Sequence, residues 1–89
     1  MVTVSADKNK FIVKFIFQDY EKLSYNLYHA MESNIQSVYK WCSKSDIPKP
    51  ECTMFDISND DGSTEYSAVL TFTDEKYVTL AMLATNVTQ

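Results

Sequence analysis

The chain contains no arginine: all eight of its basic residues are lysine. Arginine supplies the forked contacts to phosphate and to guanine edges. Its absence, together with a net charge of −4, argues against a nucleic-acid binder. A single glycine and two prolines leave little material for long loops or for a phosphate-cradling turn, and neither a P-loop nor a GxGxxG motif is present. Cysteine is equally scarce. Cys42 and Cys52 form no CxxC pair, and two thiols are too few for a disulfide scaffold, so both read as small hydrophobes packed in a core. No apolar run approaches the roughly 18 residues that a membrane span needs; the longest, Phe11 to Phe17, is interrupted by Lys14. The opening MVTVSADKNK lacks the apolar segment of a signal peptide. A cytoplasmic protein without membrane contact is expected.

What is present suffices for one small domain over residues 1–89: the chain is 45% hydrophobic and 13% aromatic, well outside the disordered regime. The stretch from Asp19 to Ser43 organises the rest. At about 100° per residue, Tyr20, Ser24, Leu27, Tyr28, Met31, Ile35, Val38 and Cys42 fall in one stripe, with Leu23, Tyr39 and Trp41 beside it. Asp19 is the expected N-cap, with Glu21 in the first turn. Lys40 and Lys44 suit the C-terminal end, and Pro48 and Pro50 prevent continuation. Such a helix must lay its apolar face on something, and only strands remain to receive it.

Phe11 to Phe17 is the clearest strand. Phe11, Val13, Phe15 and Phe17 point to one face, and Ile12, Lys14 and Ile16 to the other. A second pair of strands, Cys52–Ser58 and Glu65–Thr73, reads as a hairpin turned by Asn59-Asp60-Asp61-Gly62-Ser63, with Gly62 at positive φ. Thr73-Asp74-Glu75 opens a second helix through a capping hydroxyl, and Tyr77, Leu80, Ala81 and Ala84 form its stripe, helped by Val78 or Leu83. The residues from Thr85 on read as frayed. The order β-α-β-β-α predicts an α+β fold: a small antiparallel sheet with both helices on one face, a ferredoxin-like or split-βαβ arrangement missing its last strand. An extra short strand over Val2–Val4, with Ala6–Asn9 as its turn, would put a hairpin first instead.

Chemistry-bearing constellations are absent. His29, the only histidine, lies opposite the helical stripe, and the sequence places no Cys, Asp or Glu at metal-ligand or triad spacing from it. The acidic loop from Asp56 fails as a calcium site: Asp61 falls where such loops need glycine, and Ser67 where they need glutamate. No enzyme, metal or cofactor is therefore expected. Charge is unevenly spread, however. Residues 1–50 hold seven Lys against five carboxylates, whereas residues 51–89 hold only Lys76 against seven. The acidic hairpin, Asp60, Asp61 and Glu65, with Asp74 and Glu75 at the helix start and an exposed Tyr25, is the expected contact surface for a protein partner with a basic surface. Ile12 and Ile16, on the reverse face of the strand, are expected to meet another subunit if the chain is an oligomer. In that case it could instead bind or sequester a small ligand between subunits.

The lack of arginine, the small size and the abundance of Asn, Lys, Ser and Tyr resemble small accessory proteins of bacteriophages with AT-rich genomes, a likeness of composition that covers no motif. It implies a phage-encoded modulator or inhibitor of a host protein.

Overall fold

The computed structural model describes residues 2–18 and 25–86, the side chains of Tyr25, Asn26 and Asn86 excepted. Its elements, in chain order, are β1 (Thr3–Asp7), β2 (Lys10–Gln18), α1 (Tyr25–Lys44), β3 (Glu51–Ser58), β4 (Ser63–Thr71) and α2 (Glu75–Asn86). The class is α+β, as expected. The order is β-β-α-β-β-α, however, and not β-α-β-β-α, because the N-terminal residues form a full strand. Thr3 to Asp7 pair antiparallel with Lys14 to Lys10. Only Lys8 and Asn9 are left to turn the chain, and Lys8 takes the positive φ of 55° that short hairpin turns impose on a central residue. Asn9 then ties this turn to the far end of β4. Its backbone carbonyl accepts from Phe72 N–H at 2.9 Å, and its Nδ2 donates to the Phe72 carbonyl at 2.8 Å.

The sheet is ordered β1-β2-β4-β3, and every neighbouring pair is antiparallel. β2 and β3 are therefore parallel to each other, joined by α1, with β4 inserted between them. Register places Phe11, Val13 and Phe15 of β2 against Leu70, Ala68 and Tyr66 of β4, all on the face that the helices cover. α1 and α2 pack on β2 and on each other, and α2 also reaches β1. The core is the layer between them: Phe11, Val13, Phe15, Ala68 and Leu70 below, Met31, Ile35, Val38 and Cys42 from α1, Val78 and Ala81 from α2, closed by Phe72. Tyr66 stacks against Phe15 and Phe17 at centroid distances of 5.4 and 5.5 Å.

α1 buries Met31, Ile35, Val38 and Cys42 of the expected stripe and ends at Lys44, as its prolines require. Its end is a left-handed stop: Asp46 adopts φ 56° and Ile47 N–H donates to the Cys42 carbonyl at 2.9 Å, the reach-back that closes a Schellman motif. The expected N-cap Asp19, and with it Tyr20 to Ser24, lies outside the described residues. Gly62 takes its expected positive φ, 84°, and Gly62 N–H donates to the Asn59 carbonyl at 3.2 Å while Asn59 N–H donates to the Ser63 carbonyl at 2.8 Å. That is a three-residue hairpin loop closed by a left-handed glycine.

Two expectations for α2 need correction. The helix is capped by the Asp74 carboxylate, whose Oδ1 accepts from Lys76 N–H at 3.0 Å, and not by a hydroxyl. Its buried stripe is Val78, Ala81 and Thr85, while Leu80 and Leu83 face outward at 47% and 64% exposure. The helix turns its smaller residues to the crowded α1 side. Thr85 can be buried there because its Oγ1 donates to the Ala81 carbonyl at 2.9 Å.

Two stability measurements check this account. By chemical denaturation, Phe15→Ala is expected to cost about 3–5 kcal/mol and Leu83→Ala less than about 0.5 kcal/mol. Asp46→Gly is expected to stabilise the fold by about 0.5–1 kcal/mol, since glycine adopts the left-handed stop without the Cβ penalty.

Candidate protein-interaction surface

The most unusual element is β3. All eight of its residues, Glu51 to Ser58, are exposed. A strand inside a sheet normally buries at least one face. β3 does not, because the helices pack on β2, with α2 reaching on to β1, and β3 overhangs that cover. On the helix side it presents Cys52, Met54, Asp56 and Ser58, across from Leu70, Ala68, Tyr66 and Thr64. On the reverse side it presents Glu51, Thr53, Phe55 and Ile57. Met54, Phe55 and Ile57 remain 48%, 43% and 45% exposed. Cys52 is thus exposed and only Cys42 is packed in the core, which corrects the expectation that both thiols are buried.

The reverse face of the sheet has no layer over it among the described residues. Register assembles it in rows: Ile12, Val69 and Thr53; Lys14, Ser67 and Phe55; Ile16, Glu65 and Ile57. Ile16 is 53% exposed and Ile12 half-buried. The result is an apolar surface of Ile12, Ile16, Val69, Phe55 and Ile57, crossed by an ion pair between Lys14 Nζ and Glu65 Oε1 at 3.4 Å. The pair is partly open to solvent and adds little stability, but it neutralises both charges in the middle of the surface. The alternation of β2 alone marks Ile12 and Ile16 as residues in want of a covering surface; it says nothing of Phe55, Ile57 and Val69. The period-2 alternation of β3 places Phe55 and Ile57 together, but its helix-side residues are equally mixed, so alternation alone cannot say which face is covered.

The expected acidic residues divide differently. Asp60 and Asp61 sit at the hairpin tip, exposed. Asp61 is occupied by the turn itself: its Oδ1 accepts from Ser63 Oγ at 2.6 Å and from Ser63 N–H at 3.0 Å. These bonds, the hydroxyl's first, hold its carboxyl below the ordinary value. Glu65 belongs to the reverse face, paired with Lys14. Asp74 is engaged in capping α2, and Glu75 follows it. The nine residues of β4 lie between the two acidic groups, a separation on the order of 27 Å at about 3.3 Å per residue. The tip and the helix start are thus at opposite ends of the sheet and form no single ridge. Tyr25 begins α1, and its side chain lies outside the described residues.

His29 is exposed, its Nδ1 3.9 Å from Glu32 Oε2 one turn along α1, on an open helix surface. No cluster of three or more metal-ligating side chains exists among the described residues. Burial pushes the Cys42 thiol up, the wrong direction for a nucleophile. The Tyr39 hydroxyl is also raised, by burial first and then by the neighbouring Cys52 and Cys42, while Lys49 Nζ lies 4.4 Å from the centre of its ring. Among the described residues no helix is long and apolar enough to cross a membrane.

The chain matches no protein-family model and no curated protein sequence.

The depressed Asp61 carboxyl has a pH signature. Its stabilising contribution is present above the unfolded value, about 3.9, and is lost as pH falls through the lower folded value. A pH titration of carboxylate carbon shifts by NMR is expected to place Asp61 below the ordinary aspartate value of about 3.9, and Asp61→Asn to remove that part of the acid dependence of unfolding.

Proposed function

We propose that this chain is a non-enzymatic protein-interaction module that engages its partner through the reverse face of its sheet. The observation that carries this reading is the uncovered surface of Ile12, Ile16, Val69, Phe55 and Ile57. A sheet of this size ordinarily hides such a face or makes it polar, and an exposed contiguous apolar patch on a small protein marks a docking site. The Lys14–Glu65 pair at its centre suits a partner that brings apolar side chains to either side of a neutral, hydrogen-bonding stripe. Asp60 and Asp61 stand at the tip end of the same sheet, beyond Ile16 and Ile57. There they form part of the rim, where charge governs encounter rate and register more than affinity, and they favour a partner whose matching edge is basic. Asp74 and Glu75, at the far end, are left out of this contact.

The biological setting we propose is a phage-encoded modulator or inhibitor of a host protein, acting in the cytoplasm; the support is the likeness of composition to small phage accessory proteins. We further read the architecture as a ferredoxin-like sheet whose final strand is supplied from the N-terminus. The parallel β2 and β3, joined by α1 and split by β4, support that reading, as does β1 lying antiparallel on the outer side of β2.

Affinity capture with three baits tests the proposal: wild type, an Ile16→Lys/Ile57→Lys variant and an Asp60→Lys/Asp61→Lys variant, each shown to be folded. All four positions are solvent-exposed. A stoichiometric partner held by wild type, lost by the isoleucine variant and held in a more salt-sensitive manner by the tip variant is the expected result. Loss by the tip variant alone would return the contact to the acidic turn. Equal capture by all three would sink the reading.

A further inference from the structure

The outer edge of β3 makes a second prediction, independent of whether a partner docks on the reverse face. Asn59 N–H donates to the Ser63 carbonyl, so Asn59 directs its backbone polar groups toward β4. By the alternation of an antiparallel ladder, Ile57, Phe55, Thr53 and Glu51 do the same. Phe72 N–H, bonded to Asn9 on the opposite side of the β4 line, agrees with this parity. Cys52, Met54, Asp56 and Ser58 therefore turn their N–H and C=O groups to the outer edge, where no further strand pairs with them among the described residues. The edge strand carries two carboxylates, Glu51 and Asp56, but no lysine, no internal proline and no bulge, the stronger of the devices that blunt such an edge. Pro50, the next residue of the same parity, ends it.

We infer that this edge is occupied by β3 of a second copy of the chain, in an antiparallel pair whose twofold axis passes beside Phe55. The register follows from the open groups. Centring the pair on Phe55 sets Cys52 against Ser58 and Met54 against Asp56, and the reciprocal pairs likewise, so every outward-facing residue finds a hydrogen-bonding partner. Centring it on Met54 sets Ser58 against Pro50, which has no N–H to give. Centring it on Asp56 places two carboxylates directly opposite. Only the first choice uses the whole edge and opposes no like charges. It also makes Phe55 and its symmetry mate a non-hydrogen-bonded pair, the kind whose side chains approach most closely and in which aromatic pairs are stabilising. Beyond the strand ends, the same register brings Lys49, whose Nζ rests 4.4 Å from the centre of the Tyr39 ring of its own copy, alongside the Asp60–Asp61 turn of the other, so that pairing exchanges this ring contact for a carboxylate. This charge match distinguishes a second copy from an arbitrary extended peptide. The two reverse faces join into one continuous surface. An edge contact of this kind buries less than the standard interface of about 1,600 Å², so the dimer is weak, with dissociation in the micromolar range or above.

The test uses the whole chain. By sedimentation velocity, wild type is expected to self-associate reversibly at sub-millimolar concentration. Met54→Pro, which removes an outward N–H and leaves the β3–β4 ladder intact, is expected to remain monomeric. Lys49→Glu is expected to weaken association several-fold, and combination with Asp60→Lys to restore much of it. Register is read in a Cys52→Ser background under mild oxidation. Phe55→Cys is expected to form an intermolecular disulfide rapidly, because a non-hydrogen-bonded pair has Cα atoms about 4.5 Å apart. Thr53→Cys is not, since its symmetry mate lies roughly 13 Å along the strand. Should Met54→Pro fail to fold, the cross-linking comparison still decides. A wild type that stays monomeric throughout, or a Phe55→Cys variant that cross-links no faster than Thr53→Cys, would overturn the inference.

Discussion

Phe11, Val13 and Phe15 are fully or almost fully buried, and the rest of the molecule is arranged to keep them so. They lie on one side of the strand that sits second in the sheet, between β1 and β4. Both helices converge on that side, contributing Met31, Ile35, Val38 and Cys42 from one and Val78 and Ala81 from the other. Removing this apolar area from water is the dominant favourable contribution in a domain this small. It also dictates where everything else goes. Both helices pack on β2, and α2 packs on β1 as well, so their cover is displaced toward the β1 edge of the sheet. β3, two strands away from β2, is left outside.

That geometric shortfall links the core to the proposed activity. β3 is held in the sheet by its ladder to β4, yet supplies none of the buried core. Its side chains and its outer hydrogen-bonding groups are consequently available to other molecules. The open reverse face of the sheet shares the same origin, since both helices lie on the opposite side. The molecule thus has a well-packed half organised by β2 and an open half organised by β3. An interaction module needs both: a rigid support and an accessible surface whose geometry that support fixes.

The features legible in the amino-acid sequence are those governed by short-range periodicity and backbone chemistry. The alternation of Phe11 to Phe17 names the covered face of β2. The stripe of Met31, Ile35, Val38 and Cys42 names the buried side of α1, Pro48 and Pro50 mark its end, and Gly62 marks the hairpin turn that requires a left-handed residue. Hydropathy puts α2 in the wrong phase because leucine outweighs threonine on any such scale. The helix in fact turns Thr85 inward and Leu83 outward, since contact with α1 rewards small residues and Thr85 satisfies its hydroxyl within its own helix. The acidic groups mislead for a related reason. Asp61 and Asp74 are close in sequence, but an intervening strand is an extended ruler and not a fold-back. Each carboxylate also accepts a local backbone N–H, and Asp61 the Ser63 hydroxyl besides.

Local pattern is therefore enough to set the class of fold, the strand and helix at its centre and the turn at Gly62. These depend on the chemistry of neighbouring residues, which periodicity makes visible. The alternation of Val2 and Val4 offers an N-terminal strand, which its pairing with β2 decides. Two further outcomes emerge only in the folded chain: β3 lies beyond the helices, and Ile12, Ile16, Val69, Phe55 and Ile57 gather on one open surface. Those outcomes rest on strand order and register. Pairings between residues tens of positions apart are selected by how much of β2 can be buried at once, a property of the whole chain that no local window contains.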